Sequence, residues 1–221
     1  PSITKSGTIT AFTACVGTAT AAQTFTISAS GLTASSTVNL ATPTGFEIAT
    51  TSGGTYSSSI SLTESSGTVT NTTIYVRLSA TAATGTYSGS ISLTSTGATT
   101  QTITIPASTV NALPTITGTA TTVIGGTSTL SSTITGGTWT SSTTAVAEIS
   151  ASGVVTGVAN GTTTITYTAA TGCATTVSFT VAGPSITKSG TITAFTACVG
   201  TATAAQTFTV TGADLTNNIV I

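Results

Sequence analysis

The chain has 221 residues, of which charged residues are only 3%; its net charge is −1 at pH 7, and it contains no histidine. Such a weak charge offers no electrostatic surface to nucleic acid or to an anionic membrane, so we expect neither as a partner. No apolar run approaches the roughly 20 residues that a membrane-spanning helix needs. The chain has no acid pair at short spacing, and its many serines have no base to activate them, so we expect neither an enzyme nor a cofactor.

Hydroxyl side chains take the place of charges in keeping this chain soluble. There are 63 threonines and 29 serines, and 38% of the residues are hydrophobic. The branched Cβ of threonine favours an extended backbone, while its hydroxyl hydrates the outward face of a strand. The composition therefore predicts a folded protein that is almost entirely β.

Strand signals follow one another at short intervals through the first half of the chain. The candidate strands are 2–12, 24–30, 37–41, 46–51, 58–62, 72–79, 86–93 and 100–110. In the segment 72–79 apolar and polar residues alternate, which is typical of a strand with one buried face. About eight antiparallel strands separated by Gly and Ser turns predict a β-sandwich. Glu47 and Arg77 either pair across a sheet face or are two separately solvated side chains.

The sequence Asn-Ala-Leu-Pro at residues 111–114 interrupts this pattern, because the proline disfavours continuation of a strand. We place a domain boundary there. Residues 113–183 form a second, shorter β-module with its own glycine turns. Residues 184–209 then repeat residues 1–26 without a change, which sets an internal period of 183 residues. We therefore expect three parts: a sandwich at 1–112, a second sandwich at 113–183, and the incomplete start of another first module at 184–221. Tandem β-sandwiches in an elongated array follow from this division. We expect the chain to continue past residue 221; the alternative is that its last strands complete a neighbouring molecule by strand addition.

The three cysteines leave two interpretations open. Cys15 follows the first strand of module one, and Cys173 precedes the last strand of module two, so tracing the strand ends places both at the same junction. A disulfide between them would stiffen that junction, and Cys198, the repeat of Cys15, would pair with a residue beyond the sequence. The alternative is that all three are reduced thiols buried in the cores.

The sequence favours neither a metal site nor a sugar-binding site. The few acidic residues are scattered, so no metal site is expected. Trp139 is expected in the core of the second module, and the alternative is a surface ring on which a sugar stacks.

The stretch WTSSTTAVAEISASGVVTGVANGTTTITYTA at 139–169 resembles the bacterial Ig-like group 2 repeat of surface adhesins. The resemblance covers nearly the whole second module and implies an Ig-like sandwich. In that family a cysteine near the position of Val123 often pairs with the equivalent of Cys173. This chain has no cysteine there.

The first module resembles the repeats of giant cell-surface adhesins of gliding Bacteroidota, the SprB type. The matching stretches are SGTITAFTACVGTATAAQTFTISASGL at 6–32, PTGFEIATTSGGTYSSSISL at 43–62 and TTIYVRLSATAATGTYSGSISLTSTGATTQ at 72–101. The resemblance implies an extracellular, cell-surface protein that is exported by the type IX system, with the repeats acting as a stalk.

The leading functional prediction is a structural stalk or filament segment of a very long secreted bacterial surface adhesin that extends a binding or motility tip from the cell, with the mobile adhesin of gliding motility as one form of it. Its partners would be neighbouring repeats of the same chain, and cell-surface machinery or an extracellular glycan reached through other regions. Two alternatives stay open: a weak glycan- or protein-binding module that acts by avidity, and a sheath that assembles laterally.

Overall fold

A computed structural model describes residues 1–215 and residue 219. The described chain divides into two compact units, Pro1–Leu113 and Pro114–Ile221. Unit one contains nine strands within its described residues: β1 Ser2–Ser6, β2 Thr13–Cys15, β3 Gln23–Ser30, β4 Thr37–Ala41, β5 Phe46–Ala49, β6 Ser59–Thr63, β7 Val69–Leu78, β8 Gly85–Thr94 and β9 Gln101–Asn111.

Unit one is a sandwich of two sheets. One sheet has the strand order β1-β3-β7-β5 and the other β2-β9-β8-β4-β6. Side chains from both sheets meet in one buried cluster, in which the rings of Phe12 and Phe46 lie 5.9 Å apart. The alternation in β7 has the expected result, because Ile74, Val76 and Leu78 are all fully buried. The prediction of an all-β sandwich fold is thereby confirmed for this unit.

The prediction of one strand over residues 2–12 is wrong. β1 pairs with β3 in the first sheet, but the chain then crosses to the second sheet, where β2 pairs in parallel with β9. Gly7 allows the crossing, because its φ of 109° belongs to a region that residues with a Cβ rarely adopt. A Cβ at Gly7 would also lie 3.1 Å from Cα of Phe25. The glycine thus marks the point where the chain changes sheets.

Unit two begins with a smaller sandwich. Its strands are β10 Ile116–Gly118, β11 Thr121–Val123, β12 Thr127–Ser132, β13 Thr138–Ser141, β14 Ala147–Ile149, β15 Val154–Gly157, β16 Gly161–Thr168 and β17 Ala174–Ala182. The sheets have the orders β10-β12-β15-β14 and β11-β17-β16-β13. Buried side chains of both sheets, among them Leu130, Ile165 and Phe179, form its core.

The rest of unit two holds a two-stranded sheet of β18 Ser185–Ser189 and β19 Thr209–Ala213. These strands belong to the repeat of the N-terminal sequence. Among the residues that the structure describes, no helix is long and apolar enough to cross a bilayer.

Candidate functional site

The chain enters and leaves unit one at opposite ends. Pro1 lies against Gly97, in the turn that connects β8 with β9. β9 runs away from that turn and ends at Asn111, which leads into the second unit. Ten residue steps of a strand span about 33 Å. Unit one therefore carries the chain from one of its poles to the other.

The sandwich of unit two repeats this arrangement. The carbonyl oxygen of Pro114, the first residue of the unit, accepts a hydrogen bond of 2.6 Å from Oγ1 of Thr175. Thr175 lies at the start of β17, and the chain leaves the sandwich at Ala182, where β17 ends. Seven residue steps of a strand span about 23 Å. Entry and exit again lie at opposite ends of one long strand.

Each unit, taken by itself, places a cysteine at the end that adjoins the connection. Cys15 ends β2 directly opposite Asn111, the last residue of β9. Cys173 is 1% exposed and lies two residues before Thr175. Its carbonyl oxygen accepts a hydrogen bond of 2.9 Å from the amide of Ala169, which closes the turn before β17. Cys198 is exposed and is unpaired within the described part of the chain. The disulfide between Cys15 and Cys173 stays a prediction.

A charged cluster lies on the outer side of one sheet of unit one. Arg77 and Glu47 are opposite each other on β7 and β5, and Nε of Arg77 lies 2.7 Å from Oε1 of Glu47. The guanidinium carbon of Arg77 also lies 3.7 Å from the centre of the Tyr56 ring. Of the two alternatives that the sequence left open for Arg77 and Glu47, the structure shows the pairing. The cluster therefore links β5, β7 and the loop after β5 that carries Tyr56.

A cleft of about 500 Å³ lies beside this cluster, between the turn before β5 and the loop after β7. The Tyr87 hydroxyl at its edge donates a hydrogen bond of 2.9 Å to the carbonyl oxygen of Ala83. Oγ1 of Thr42 donates to the carbonyl oxygen of Phe46 at 2.8 Å. Since these hydroxyls bind the backbone around the cleft, they order its walls. Glu47, the acidic side chain of the cleft, is held by Arg77.

Trp139 is half-buried in unit two and packs against the core. It lies opposite Tyr167 in the pairing of β13 with β16, with the two ring centres 4.7 Å apart. The Tyr167 hydroxyl donates a hydrogen bond to the carbonyl oxygen of Ile134 and accepts one from the amide of Gly137. The open edge of Trp139 borders a shallow hollow of about 450 Å³. Core packing is the interaction that the structure gives this ring.

Sequence reasoning missed the buried hydroxyl groups. Thr163 on β16 and Ser108 on β9 are buried polar residues, and each binds backbone groups of a neighbouring segment. Their signal lies in the alternation of their strands, since each occupies an inward position. Among residues 1–215 and 219, no three His, Cys, Asp or Glu side chains lie close enough to hold a metal ion.

These features define an all-β protein built from β-sandwich units that the chain traverses end to end. No protein-family model matches the sequence, and no curated protein matches it. The C-terminal 282-residue fragment of intimin, solved in complex with the intimin-binding domain of the translocated intimin receptor, is similar at 18% identity and a TM-score of 0.42, over 84% of this chain and 65% of that one.

Two further solved structures show a weaker likeness. Invasin, a bacterial integrin-binding protein, is 15% identical with a TM-score of 0.31, over 85% of this chain and 42% of invasin. A putative membrane-anchored protein from Corynebacterium diphtheriae is 11% identical with a TM-score of 0.29, over 84% of this chain and 57% of that one. The chain thus spans less than two thirds of each of these three structures. The assignment of the fold rests on the strand pairing within each unit.

Proposed function

We propose that this chain is a segment of the stalk of a secreted bacterial surface adhesin, in which repeated sandwich units carry a distant binding or motility region away from the cell. The observation behind this proposal is the end-to-end path of the chain through each sandwich. A module that the chain enters and leaves at opposite poles adds its full length to an array. Modules with both termini at one pole would add width instead.

The repeat of the N-terminal sequence supports an array. Residues 184–209 match residues 1–26 at every position, so a new first module starts directly after the second. Repetition of a module multiplies the length or the valency of the chain. On this proposal the protein acts outside the cell and is not an enzyme, and its immediate partners are the neighbouring repeats. Gliding motility and type IX export, which the SprB-type resemblance implies, are the finer form of the same proposal.

A disulfide between Cys15 and Cys173 would give the stalk a stiff joint. Cys15 lies opposite Asn111, and Cys173 lies two residues before Thr175, the partner of Pro114. Three residue steps separate Asn111 from Pro114 and span at most about 10 Å. Both cysteines are therefore tied to the two ends of one short connection. A disulfide there restricts rotation between modules, which favours an extended array over a flexible one.

Solution scattering from arrays with one, two and three periods of 183 residues tests the proposal. We expect the maximum dimension to grow linearly, by about 60 to 80 Å with each period, because the long strands of the two sandwiches lie along the path of the chain. A matched array with a Gly/Ser linker inserted after Leu113 should grow less steeply, because a flexible linker allows the modules to fold back. A maximum dimension that rises only weakly with the number of periods in the unmodified arrays would refute the stalk role.

A further inference from the structure

Three exposed apolar side chains lie where the chain leaves the sandwich of unit two. Val123, Ile124 and Val158 are 37%, 45% and 46% exposed, and we call them the exit patch. The strands of this sandwich, β10–β17, already pair into two complete sheets, so its own module has no further strand to cover the patch. Apolar side chains that stay open together on a finished sandwich mark an interaction surface.

Backbone hydrogen bonds tie the exit patch to the last residue of the sandwich. Val123 lies opposite Ala182, which ends β17, and the amide of Ile124 donates a hydrogen bond of 3.2 Å to the carbonyl oxygen of Ala182. The Gly125 amide donates a hydrogen bond of 2.8 Å to the carbonyl oxygen of Gly157, next to the third member of the patch. The three side chains are therefore fixed around the point at which the chain leaves.

The connection to the following module is too short to keep that module away from the exit patch. Only Gly183 separates Ala182 from Pro184, and two residue steps span at most about 7 Å. Gly183 also lies against the sandwich, because a Cβ there would be 3.0 Å from Cβ of Asn160. The next module therefore begins beside the patch.

Unit one shows which part of a first module lies at its beginning. Pro1, which Pro184 repeats, sits between two turns. A Cβ at Gly31 would be 3.4 Å from Cα of Pro1, and a Cβ at Gly97 would be 3.2 Å from its Cγ. We call the proline and these two turns the entry pole. In the repeat, Asp214 stands in the place of Gly31 and keeps the left-handed backbone, with a φ of 55° against 67°.

The described start of the next module faces the exit patch. Pro184 and the turn at 214–215 border a hollow of about 360 Å³ together with Val123 and Ile124. In unit one the turn at Gly97 contacts the same proline, so its counterpart in a complete module lies next to this hollow. The entry pole of the following module is thus the surface that the connection brings to the patch.

We propose that the exit patch is a docking surface for the entry pole of the next first module. This inference rests on the array of the proposed function and names the contact that holds every second joint of it. Removal of the patch from water stabilises the docked arrangement. A period then has two unlike joints. The predicted disulfide between Cys15 and Cys173 closes one, and apolar packing that reductants leave intact closes the other.

Two chains built from whole sandwiches, each sandwich with its own buried core, test this proposal. The long chain is residues 1–183 followed by a second copy of residues 1–113, and the short chain is residues 1–183 alone. Each contains one tryptophan, Trp139, whose fluorescence follows the sandwich that carries the patch. Ile124→Ser should lower the urea midpoint of this sandwich by about 1 M more in the long chain than in the short one, because only the long chain covers the side chain.

Ile134→Ser is the matched control. Ile134 is half-buried at the opposite end of the same sandwich, next to Thr133, whose amide donates a hydrogen bond of 3.1 Å to the carbonyl oxygen of Thr115. This substitution should lower the midpoint equally in the two chains. If Ile124→Ser does not fold, Val158→Ser poses the same question.

The outcomes separate the docking from the stalk role. Equal effects of Ile124→Ser in the long and short chains would overturn the docking, and arrays that still lengthen linearly in solution scattering would leave the stalk role standing. A larger effect in the long chain supports the docking. Combined with arrays that lengthen only weakly, that result would overturn the stalk role alone.

Discussion

Thr163 is the residue at which a small change in unit two should have a large effect. It is 4% exposed, and its Oγ1 accepts a hydrogen bond of 3.0 Å from the amide of Thr143. The hydroxyls of Ser141 and Ser142 lie 3.0 and 3.1 Å from the same oxygen. Thr163→Val keeps the shape and the strand preference of the side chain but removes this oxygen. The substitution therefore isolates the contribution of the hydroxyl.

The magnitude follows from the bonds that are lost. An amide left without a partner costs about 1–3 kcal/mol. Ser142 is exposed and can turn to water, so its lost bond adds little, and the new methyl group of valine offsets part of the loss. We expect the free energy of unfolding of unit two to fall by about 1–2 kcal/mol. With a urea dependence of about 1 kcal/mol/M for so small a unit, the midpoint should fall by about 1–2 M.

Trp139 is the single tryptophan of the chain and lies in unit two, so its fluorescence follows the unfolding of that unit alone. Thr162→Val is the matched control, because Thr162 is the exposed neighbour on the same strand. Its free energy of unfolding should change by less than about 0.5 kcal/mol. If both variants unfold at the same urea concentration as the unaltered chain, the buried hydroxyl does not stabilise the unit and the reasoning is refuted.

Three other predictions concern the joint, the cleft and the response to pH. Non-reducing peptide mapping should find Cys15 and Cys173 in one linked pair of peptides; recovery of both as alkylated thiols would contradict the joint. Gly45→Ala should lower the stability of unit one by about 1–3 kcal/mol, since Gly45 has a φ of 87° and its new Cβ would clash with the Tyr87 ring. Calorimetry should show almost no change for Gly53→Ala, which has open space around it. Because the chain has no histidine, the melting temperature should stay nearly constant between about pH 5.5 and 7.5. A shift of many degrees would contradict this last prediction.

Strand positions were largely predictable because a strand with one buried face has an apolar residue at every second position. The segment 37–41 coincides with β4, and the inward residues of β7 follow the alternation of the sequence. The short strands β2 and β11 have too few residues to show this alternation. Each has three residues, and its parallel partner, β9 or β17, lies far along the chain. A partner at that separation is selected by the closure of the whole sandwich and not by local preference.

The candidate site also has features that the sequence indicated and features that only the folded structure shows. The sequence placed Glu47 and Arg77 on strands but left open whether they pair or are separately solvated, and the pairing of β5 with β7 decides it. The stacking of Arg77 on Tyr56 depends on a loop that the strand pattern does not describe. The bonds of Thr163 join β16 to the segment after β13, and only the assembled unit brings those segments together.

The 26 residues that occur twice separate what the sequence determines from what the tertiary structure decides. Both copies form the same paired register and the same glutamine bonds, because these depend on neighbours within the segment. Burial differs: Phe25 is enclosed, whereas Phe208 is open. Local hydrogen bonds need only the segment itself, but removing an apolar ring from water needs a second surface to cover it. The sequence determined the shape of the segment, and the cover that strands β4–β9 provide in unit one decided whether that shape became a core.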